Sequence, residues 1–269
     1  MIFAMNLLKN RTAIVTGGGT GIGRAIALEL AKVGANVVIC GRRLEHLQAS
    51  SEEIQALGSS SLAIQTDIRD IDSVKHCIQN TIEKFGSIDI LVNNAGGQFS
   101  QPAENFKEKG WKAIIDLNLN GTWYMTQVVA NKYMIPNRTG KIINIVACIW
   151  RGMPGIAHTG AARAGVVNLT KSLSIEWAKY NILINCIAPG NILTEGWKNA
   201  YGIENVELVS SQIPLRRIGR PEDIAYAVVY LASPAGDYMT GATIAIDGGQ
   251  QHWGNIDYSL LKKPNSATK

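Results

Sequence analysis

Short apolar runs alternate with longer amphipathic stretches along almost the whole chain. The apolar runs are rich in Val and Ile and show no regular alternation with polar residues, which is typical of strands buried on both faces of a parallel sheet. We expect strands at 12–16, 36–40, 62–65, 88–92, 141–147, 182–187 and 242–246. The stretches between them have helical spacing, and we expect helices at about 22–33, 44–57, 74–82, 104–135, 157–179 and 221–231. Repeated strand–helix units predict an α/β fold with a doubly wound parallel sheet and helices on both faces.

The chain has no linker or change of composition that would divide its 269 residues. Alternating α/β chains of this length often form one domain. We therefore predict a single domain over residues 1–269 with a core at about 9–250. Residues 191–214 lie between a strand and a helix and have weak periodicity, which is typical of a lid or binding loop. We predict a substrate loop there, and an irregular C-terminal tail at 250–269.

The charge and the apolar runs of the chain indicate which kinds of ligand or partner it can bind. Lys and Arg outnumber Asp and Glu by 26 to 21, but the excess is spread along the chain without a basic stripe. We therefore expect no nucleic-acid partner. A mildly positive field suits a small anionic ligand such as a nucleotide or a CoA ester. No apolar run approaches 18 residues, so we expect no membrane span.

The cysteines indicate neither disulfides nor a metal centre. Cys40, Cys148 and Cys186 lie in apolar runs, no C-x-x-C occurs, and no histidine stands at metal-ligand spacing. We interpret these three as reduced core residues, which fits an intracellular chain. The apolar start lacks the basic segment of a signal peptide, and the last residues do not form a peroxisomal S-K-L. A cytoplasmic location is predicted.

A glycine-rich turn follows the first predicted strand and opens the first predicted helix. Small residues let the backbone approach a pyrophosphate, whose charge is favoured at a helix N-terminus. No Gly-Lys-Ser or Gly-Lys-Thr ends the turn, which excludes an ATP-hydrolysing P-loop. We predict a Rossmann-like dinucleotide site. Its pyrophosphate-binding residues are Gly17, Gly19, Thr20, Gly21, Ile22 and Gly23.

The residues after the second strand bear on the choice of dinucleotide. An Asp or Glu there would bind the adenosine ribose of NAD(H), whereas an arginine accommodates the 2′-phosphate of NADP(H). The chain has Arg42 and Arg43 at this place and no acid until Glu45. Cations are disfavoured at the start of a helix, so a merely solvated helix start explains them less well. We predict NADP(H) as cofactor, with NAD(H) as the alternative.

Further motifs resemble those of the short-chain dehydrogenases/reductases. The glycine turn matches T-G-x-x-x-G-x-G, residues 93–96 match N-N-A-G, residues 189–194 match P-G-x-I-x-T, and residues 247–249 match the C-terminal signature. The resemblance covers about residues 9–250 and implies a Rossmann-like fold, a nicotinamide cofactor and a homotetramer. The additional cofactor-binding residues that it implies are Asp67, Ile68, Asn94, Ala95, Gly96, Arg163, Pro189, Gly190, Ile192 and Thr194.

The predicted helix at 157–179 departs from the family pattern. Most members use Ser, Tyr and Lys, the last two spaced Y-x-x-x-K, and this chain has no Y-x-x-x-K. Alignment on the A-G-V run puts Thr159 at the tyrosine position and Arg163 at the lysine position, with Val146 or Ala147 at the serine position. Threonine is a poor acid, and arginine keeps its proton, so neither replaces the usual proton shuttle. His158 is the nearest group that titrates near neutral pH. The predicted catalytic residues are Asn118, which matches the family's active-site Asn, His158, Thr159 and Arg163.

The helix and the N-N-A-G loop are similar to those of the peroxisomal trans-2-enoyl-CoA reductases, which together with the dienoyl-CoA reductases lack Y-x-x-x-K. This similarity implies NADPH-dependent reduction of a carbon–carbon double bond conjugated to a thioester. Hydride would go to the β-carbon, and hydrogen-bond donors would stabilise the enolate oxygen. Val167 stands where that subgroup has a tyrosine, which leaves the proton donor open. The predicted substrate-binding residues are Gln98, Trp111 and Trp197.

Two other functions stay open on the sequence. One is a carbonyl or alcohol oxidoreductase with a non-standard proton donor. The other is a non-catalytic NADP-binding protein, which the missing Ser, Tyr and Lys favour. Intact cofactor motifs beside a non-standard catalytic helix favour the enoyl-CoA-type reductase over both.

Overall fold

All seven expected strands lie in one parallel sheet in the computed structural model, which describes residues 2–252. They are β1 Thr12–Thr16, β2 Asn36–Gly41, β3 Ser61–Gln65, β4 Ile90–Asn93, β5 Gly140–Ile145, β6 Ile182–Pro189 and β7 Thr243–Ile246. Their order is β3-β2-β1-β4-β5-β6-β7. The predicted doubly wound α/β sheet is therefore confirmed. Of the expected C-terminal tail, residues 253–269 lie outside the described residues.

Helices connect the strands. They are α1 Gly21–Lys32, α2 Leu44–Ala56, α3 Ile71–Phe85, α4 Glu108–Ile115, α5 Gly121–Val129, α6 Ile135–Asn137, α7 Ala157–Glu176, α8 Glu195–Tyr201, α9 Val206–Ser211 and α10 Pro221–Ala232. Three expectations need correction. The stretch at 104–135 is divided by π-helical turns at Asp116–Asn120 and Ala130–Met134. The long helix α7 ends three residues early, because a 3₁₀ turn follows at Ala178–Tyr180. The excursion at 191–214 contains α8 and α9.

Alternate residues of each strand face opposite helical layers, which explains why the strands read as continuous apolar runs. Val15 packs in the cluster formed with α1 and α10, whereas Ile14 packs in the cluster formed with α3, α5 and α7. Ile26 and Met125, one on each side, are fully buried. Burying an aliphatic side chain of this size stabilises a fold by about 1.5–3 kcal/mol. Within residues 2–252, no helix combines the length and apolar character needed to cross a bilayer.

The winding of the sheet reverses between β1 and β4, and ligands of such sheets bind outside the carboxyl ends of the strands at this place. Thr16, the last residue of β1, holds the two strand ends together. Its Oγ1 accepts hydrogen bonds from the backbone N–H groups of Asn94 and Ala95, at 3.0 and 2.9 Å. The Asn94 side chain donates to the Thr16 carbonyl at 2.9 Å. The N-N-A-G loop is thus fixed beside the glycine-rich turn.

Candidate active site

A cleft of about 1080 Å³ opens at the carboxyl ends of the strands where the winding reverses. The glycine-rich turn forms its floor. Gly17 has φ +67°, a conformation that favours glycine, and a Cβ built on Gly23 would overlap the Gly17 carbonyl oxygen. The shape of the turn therefore depends on glycine at both positions. The predicted cofactor-binding residues that line the cleft are Gly17, Gly19, Thr20, Gly21, Ile22, Gly23, Arg42, Arg43, Asp67, Ile68, Asn94, Ala95, Gly96 and Thr194.

The part of the cleft where the sequence predicts the adenosine ribose carries Arg42 and Arg43. Asp67 forms a bidentate pair with Arg69, with Nη2–Oδ2 at 2.5 Å and Nε–Oδ1 at 2.9 Å. The hydrogen bond from Arg69 holds the pKa of the Asp67 carboxyl below its usual value, so the pair is ionised and close to neutral overall. No carboxylate in the described part of the chain forms a salt bridge with Arg42 or Arg43, although the charge of Arg42 helps to lower the pKa of Asp67. Arg42 and Arg43 thus add positive charge to the lining of the cleft.

A second cavity, of about 650 Å³, continues from this cleft. Ile22, Thr194 and Gly196 line both spaces. The Thr194 hydroxyl accepts a hydrogen bond from the Trp197 backbone N–H at 3.1 Å and so caps α8. The predicted residues Pro189, Gly190 and Ile192 line the second cavity. It therefore lies where the P-G-x-I-x-T motif predicts the nicotinamide ring.

Two of the three predicted substrate-binding residues line the second cavity, and the third does not. Gln98 and Trp197 line the second cavity. Trp197 is almost fully buried, and its Nε1 donates to Asn191 Oδ1 at 3.1 Å, so it also supports the wall. Trp111 is 40% exposed on α4 and lines neither cavity. The sequence did not indicate that its side chain points away from the site.

Other walls of the second cavity were not predicted. They carry side-chain amides, a thiol and one guanidinium, and the lining residues within 2–252 include no carboxylate. The segment after β5 supplies part of them, and its place at the carboxyl edge of the sheet was the available signal. The unpredicted lining residues that are polar, aromatic or sulfur-containing are Cys148, Trp150, Arg151, Met153, Asn191, Gln212, Gln250 and Gln251.

Cys148 corrects the interpretation of this thiol as a core residue, because it is only partly buried and lines the cavity. Its Sγ lies 3.5 Å from Asp247 Oδ2 and 3.5 Å from the Ala188 carbonyl oxygen. Burial, and then the Asp247 charge, raise the pKa of the Cys148 thiol to about 12. The side chain is therefore a protonated thiol at neutral pH.

Asn118 is fully buried in the π-helical turn between α4 and α5. Its Nδ2 donates to the Gly97 carbonyl at 2.8 Å, and its Oδ1 accepts from the Gly97 backbone N–H at 3.0 Å. The side chain thus binds the backbone of Gly97, the residue that follows the N-N-A-G motif, through both of these hydrogen bonds. Such π-helical turns often occur at functional sites. Both polar ends of the Asn118 side chain are used in this clamp, which fixes Gly96 and Gly97.

Arg163 reaches the same loop from α7. A Cβ built on Gly96 would overlap Arg163 Nη2 and would lie 2.9 Å from Asn118 Oδ1, so only glycine leaves room for the guanidinium. Arg163 is more than nine-tenths buried, and its Nη1 has no hydrogen-bond partner. Burial lowers the pKa of Arg163 to about 10, and the group stays charged at neutral pH. A buried, uncompensated cation beside Gly96 fits a site that receives polar atoms of a ligand.

Thr159 and His158 lie one turn before Arg163 on α7. Thr159 Oγ1 is 3.3 Å from His158 Nδ1. The His158 ring is fully buried between Phe99 and Phe106, with ring centroids 4.6 and 4.5 Å away. Burial lowers the pKa of His158, so the imidazole is neutral at pH 7. None of the four predicted catalytic residues, Asn118, His158, Thr159 and Arg163, lines either cavity.

The chain is similar to oxidoreductases in sequence and in structure. A family model described as enoyl-(acyl carrier protein) reductase matches residues 17–251. A probable 2,4-dienoyl-CoA reductase of Bacillus subtilis (strain 168) is 37% identical over 247 residues, which are 90% of this chain and 97% of that protein. The 3-oxoacyl-(acyl-carrier-protein) reductase FabG of Staphylococcus aureus (strain Mu50) is 42% identical over 242 residues, 89% of this chain and 97% of that one. A solved short chain dehydrogenase from Bacillus anthracis superposes with a TM-score of 0.86 at 42% identity, covering 94% of this chain and all of that one. The chain therefore belongs to the short-chain dehydrogenase/reductase family of oxidoreductases.

Proposed function

We propose that this oxidoreductase uses NADPH to reduce the carbon–carbon double bond of an enoyl thioester, such as an enoyl-CoA. The observation that carries the proposal is the side-chain chemistry of α7. Thr159 and Arg163 stand where most family members have the tyrosine and lysine that exchange a proton with a carbonyl oxygen. The chain keeps the cofactor cleft but lacks that acid.

The two kinds of reduction need different groups. Hydride transfer to a ketone leaves an alkoxide, which needs an acid at the oxygen, and neither threonine nor a permanently charged arginine serves well. Hydride transfer to an enoyl thioester leaves an enolate, whose oxygen needs only hydrogen-bond donors while the proton is added at the α-carbon. A guanidinium, as on Arg163, is such a donor. The residues on α7 therefore suit the second reaction better than the first.

The bound cofactor would supply the hydride, and the chain's residues would hold and polarise the reactants. Arg163 places a buried positive charge beside Gly96, where charge that develops during reduction is favoured because little water screens it. Asn118 keeps the Gly96–Gly97 loop rigid through its two hydrogen bonds. Side-chain amides such as Gln98 and Gln212 and apolar side chains such as Met153 and Ile156 line the second cavity, which suits an acyl thioester with a polar arm and an apolar chain.

NADPH is preferred in this proposal because Arg42 and Arg43 line the cleft without carboxylate partners in residues 2–252. The names of two of the similar proteins support a thioester substrate, since a dienoyl-CoA and a 3-oxoacyl group on a carrier protein are both acyl thioesters. The family's homotetramer and a cytoplasmic location stay predictions. Light scattering on the purified chain would test the first.

The decisive assay follows NADPH oxidation with crotonyl-CoA and longer 2-enoyl-CoAs, beside acetoacetyl-CoA as a 3-oxoacyl substrate of matched headgroup. We expect turnover of the enoyl series and little of the 3-oxoacyl compound. Absence of enoyl turnover at every chain length would refute the proposal.

One observation favours a second candidate, the reduction of a 3-oxoacyl thioester. The S. aureus 3-oxoacyl reductase is 42% identical to this chain, against 37% for the dienoyl-CoA reductase of B. subtilis. The same pair of substrates separates the two. Acetoacetyl-CoA turnover without crotonyl-CoA turnover would establish the second candidate.

A further inference from the structure

The segment after β7 places a side-chain amide in the wall of the second cavity. The Asp247 carboxylate fixes this segment, because it accepts hydrogen bonds from the backbone N–H groups of Gly249 at 2.9 Å and Gln251 at 2.7 Å. Gln250 lies between these two residues, is partly buried and lines the second cavity. A Cβ built on Gly190 would lie 3.1 Å from Gln250 Oε1, so the Gln250 amide packs on the P-G-x-I-x-T segment. The position of this amide in the wall is therefore defined by both segments.

Two hydrogen bonds in series determine which end of the Gln250 amide is left for a ligand. The indole N–H of Trp197 can only donate, so the Asn191 amide turns its oxygen towards it, at an Nε1–Oδ1 distance of 3.1 Å. Asn191 Nδ2 therefore faces Gln250 and donates to its Oε1, also at 3.1 Å. Within residues 2–252, no group accepts a hydrogen bond from Gln250 Nε2. Gln250 thus keeps the two N–H donors of its amide for a ligand.

The two residues that orient Gln250 are themselves held in place. The Asn191 carbonyl accepts a hydrogen bond from the Gly219 backbone N–H at 2.9 Å. The Trp197 indole is almost fully buried in an apolar cluster with Ile213. A donor that is held in place before the ligand arrives loses little conformational entropy on binding, which favours affinity.

We infer that Gln250 is a substrate-binding residue whose Nε2 donates a hydrogen bond to a carbonyl oxygen of the acyl thioester, and that Asn191 and Trp197 are positioning residues for this donor. The inference rests on the proposed thioester substrate. A thioester has one carbonyl oxygen at its reacting end, and the arm of CoA or of a carrier protein adds those of its amides. Such oxygens only accept hydrogen bonds, so they match an amide NH₂ group and not an amide oxygen. The described residues that line this cavity include no carboxylate that would compete for the donor.

Steady-state kinetics with two thioesters test the donor. Crotonyl-CoA carries the whole arm, whereas crotonyl-N-acetylcysteamine is uncharged and carries the thioester and one amide. Gln250→Leu should raise the KM for both about fivefold, which corresponds to the loss of one uncharged hydrogen bond. Gln250→Glu keeps an oxygen that accepts from Asn191 but replaces the NH₂ group by a second oxygen, so it should raise both KM values at least as much. A purely structural role of Gln250 would instead be restored by glutamate.

Asn191→Asp tests the orientation without changing Gln250. The aspartate still accepts from Trp197 Nε1, but its second oxygen can only accept, so the Gln250 amide should turn and present Oε1 to the cavity. The KM for both thioesters should therefore rise as in Gln250→Leu. The NADPH dissociation constant, measured from the fluorescence of the bound cofactor, should stay within twofold of the wild type in all three variants. Gln79→Leu, at an exposed glutamine on α3 that lines neither cavity, is the control and should behave as the wild type.

An unchanged KM in Gln250→Leu or a wild-type KM in Gln250→Glu would overturn the inference. A rise in Gln250→Glu with crotonyl-CoA alone would reflect repulsion of the CoA phosphates and would also overturn it, as would an equal loss of NADPH affinity. A wild type that reduces acetoacetyl-CoA but no enoyl thioester would refute the proposed function alone, because the same variants then test Gln250 with acetoacetyl thioesters. A wild type that turns over neither class of thioester would refute both.

Discussion

Replacing Arg163 by methionine should stabilise the cofactor-free protein while weakening cofactor binding. Arg163 is buried on α7, forms no ion pair in the described chain, and has an Nη1 without a hydrogen-bond partner. Burying an uncompensated charge costs free energy, and an uncharged side chain of similar length avoids that cost. Residues that serve a ligand are often destabilising in this way.

The magnitude follows from the pKa of Arg163, which burial lowers from its ordinary value to about 10. Each pKa unit corresponds to about 1.4 kcal/mol, so the charged form is destabilised in the folded state by about 3 kcal/mol. Because the folded-state pKa lies below the unfolded-state pKa, the cost is fully present below about pH 10 and disappears as the pH rises toward 12.5. Methionine recovers only part of it, since it loses packing of the guanidinium against Gly96. We expect the free energy of unfolding to rise by about 1–3 kcal/mol at pH 7.

Urea unfolding of the wild type, Arg163→Met and Arg163→Lys, with and without NADPH, measures both effects. The methionine variant should be the most stable without cofactor, and lysine should give no such gain because it keeps the buried charge. At a concentration 100 times its Kd, NADPH should add about 2.7 kcal/mol to the wild type. The methionine variant should gain less at the same concentration, because its affinity is lower.

A methionine variant that is less stable than the wild type by more than about 1 kcal/mol without cofactor would refute this reasoning. It would mean that groups of the protein already compensate the guanidinium. An unchanged NADPH increment would separately refute a role of Arg163 in cofactor binding.

Three further predictions concern the same site. Gly96→Ala should raise the NADPH dissociation constant at least about tenfold, because the added Cβ displaces the Arg163 guanidinium. Gly160→Ala is the control, because its Cβ would make only ordinary van der Waals contacts. An equal rise of the dissociation constant in both variants would contradict the explanation. Asn118→Ala should lower the free energy of unfolding by about 2–4 kcal/mol, because two buried hydrogen bonds to Gly97 are lost. A loss of less than about 0.5 kcal/mol in urea unfolding would show that these hydrogen bonds do not stabilise the loop. Because its pKa is raised to about 12, the Cys148 thiol should react with iodoacetamide at pH 8 roughly 10³-fold more slowly than free cysteine. The reaction rate should rise about tenfold for each pH unit. Peptide mass spectrometry follows the labelling, and labelling at the rate of free cysteine would contradict the raised pKa.

The chain order of strands and helices was readable from the sequence because burial on both faces leaves a continuous apolar run, and only strands of a covered parallel sheet require one. The run at Thr12–Thr16 was located to the residue. Boundaries failed where the backbone geometry depends on tertiary packing, as in the π-helical turn at Asp116–Asn120. No local pattern distinguishes that turn from an ordinary helix.

The cleft predicted to hold the cofactor was also readable from the sequence, because its glycine-rich turn requires glycine at fixed positions such as Gly17 and Gly23. The side chains of the catalytic helix were not. Sequence placed His158 beside Thr159 as a candidate acid, but Phe99 and Phe106, some fifty residues earlier in the chain, enclose its ring. Tertiary packing likewise gave Arg163 a buried position without a counter-charge. Burial, charge compensation and side-chain direction depend on residues far away along the chain, which is why the tertiary structure alone decided them.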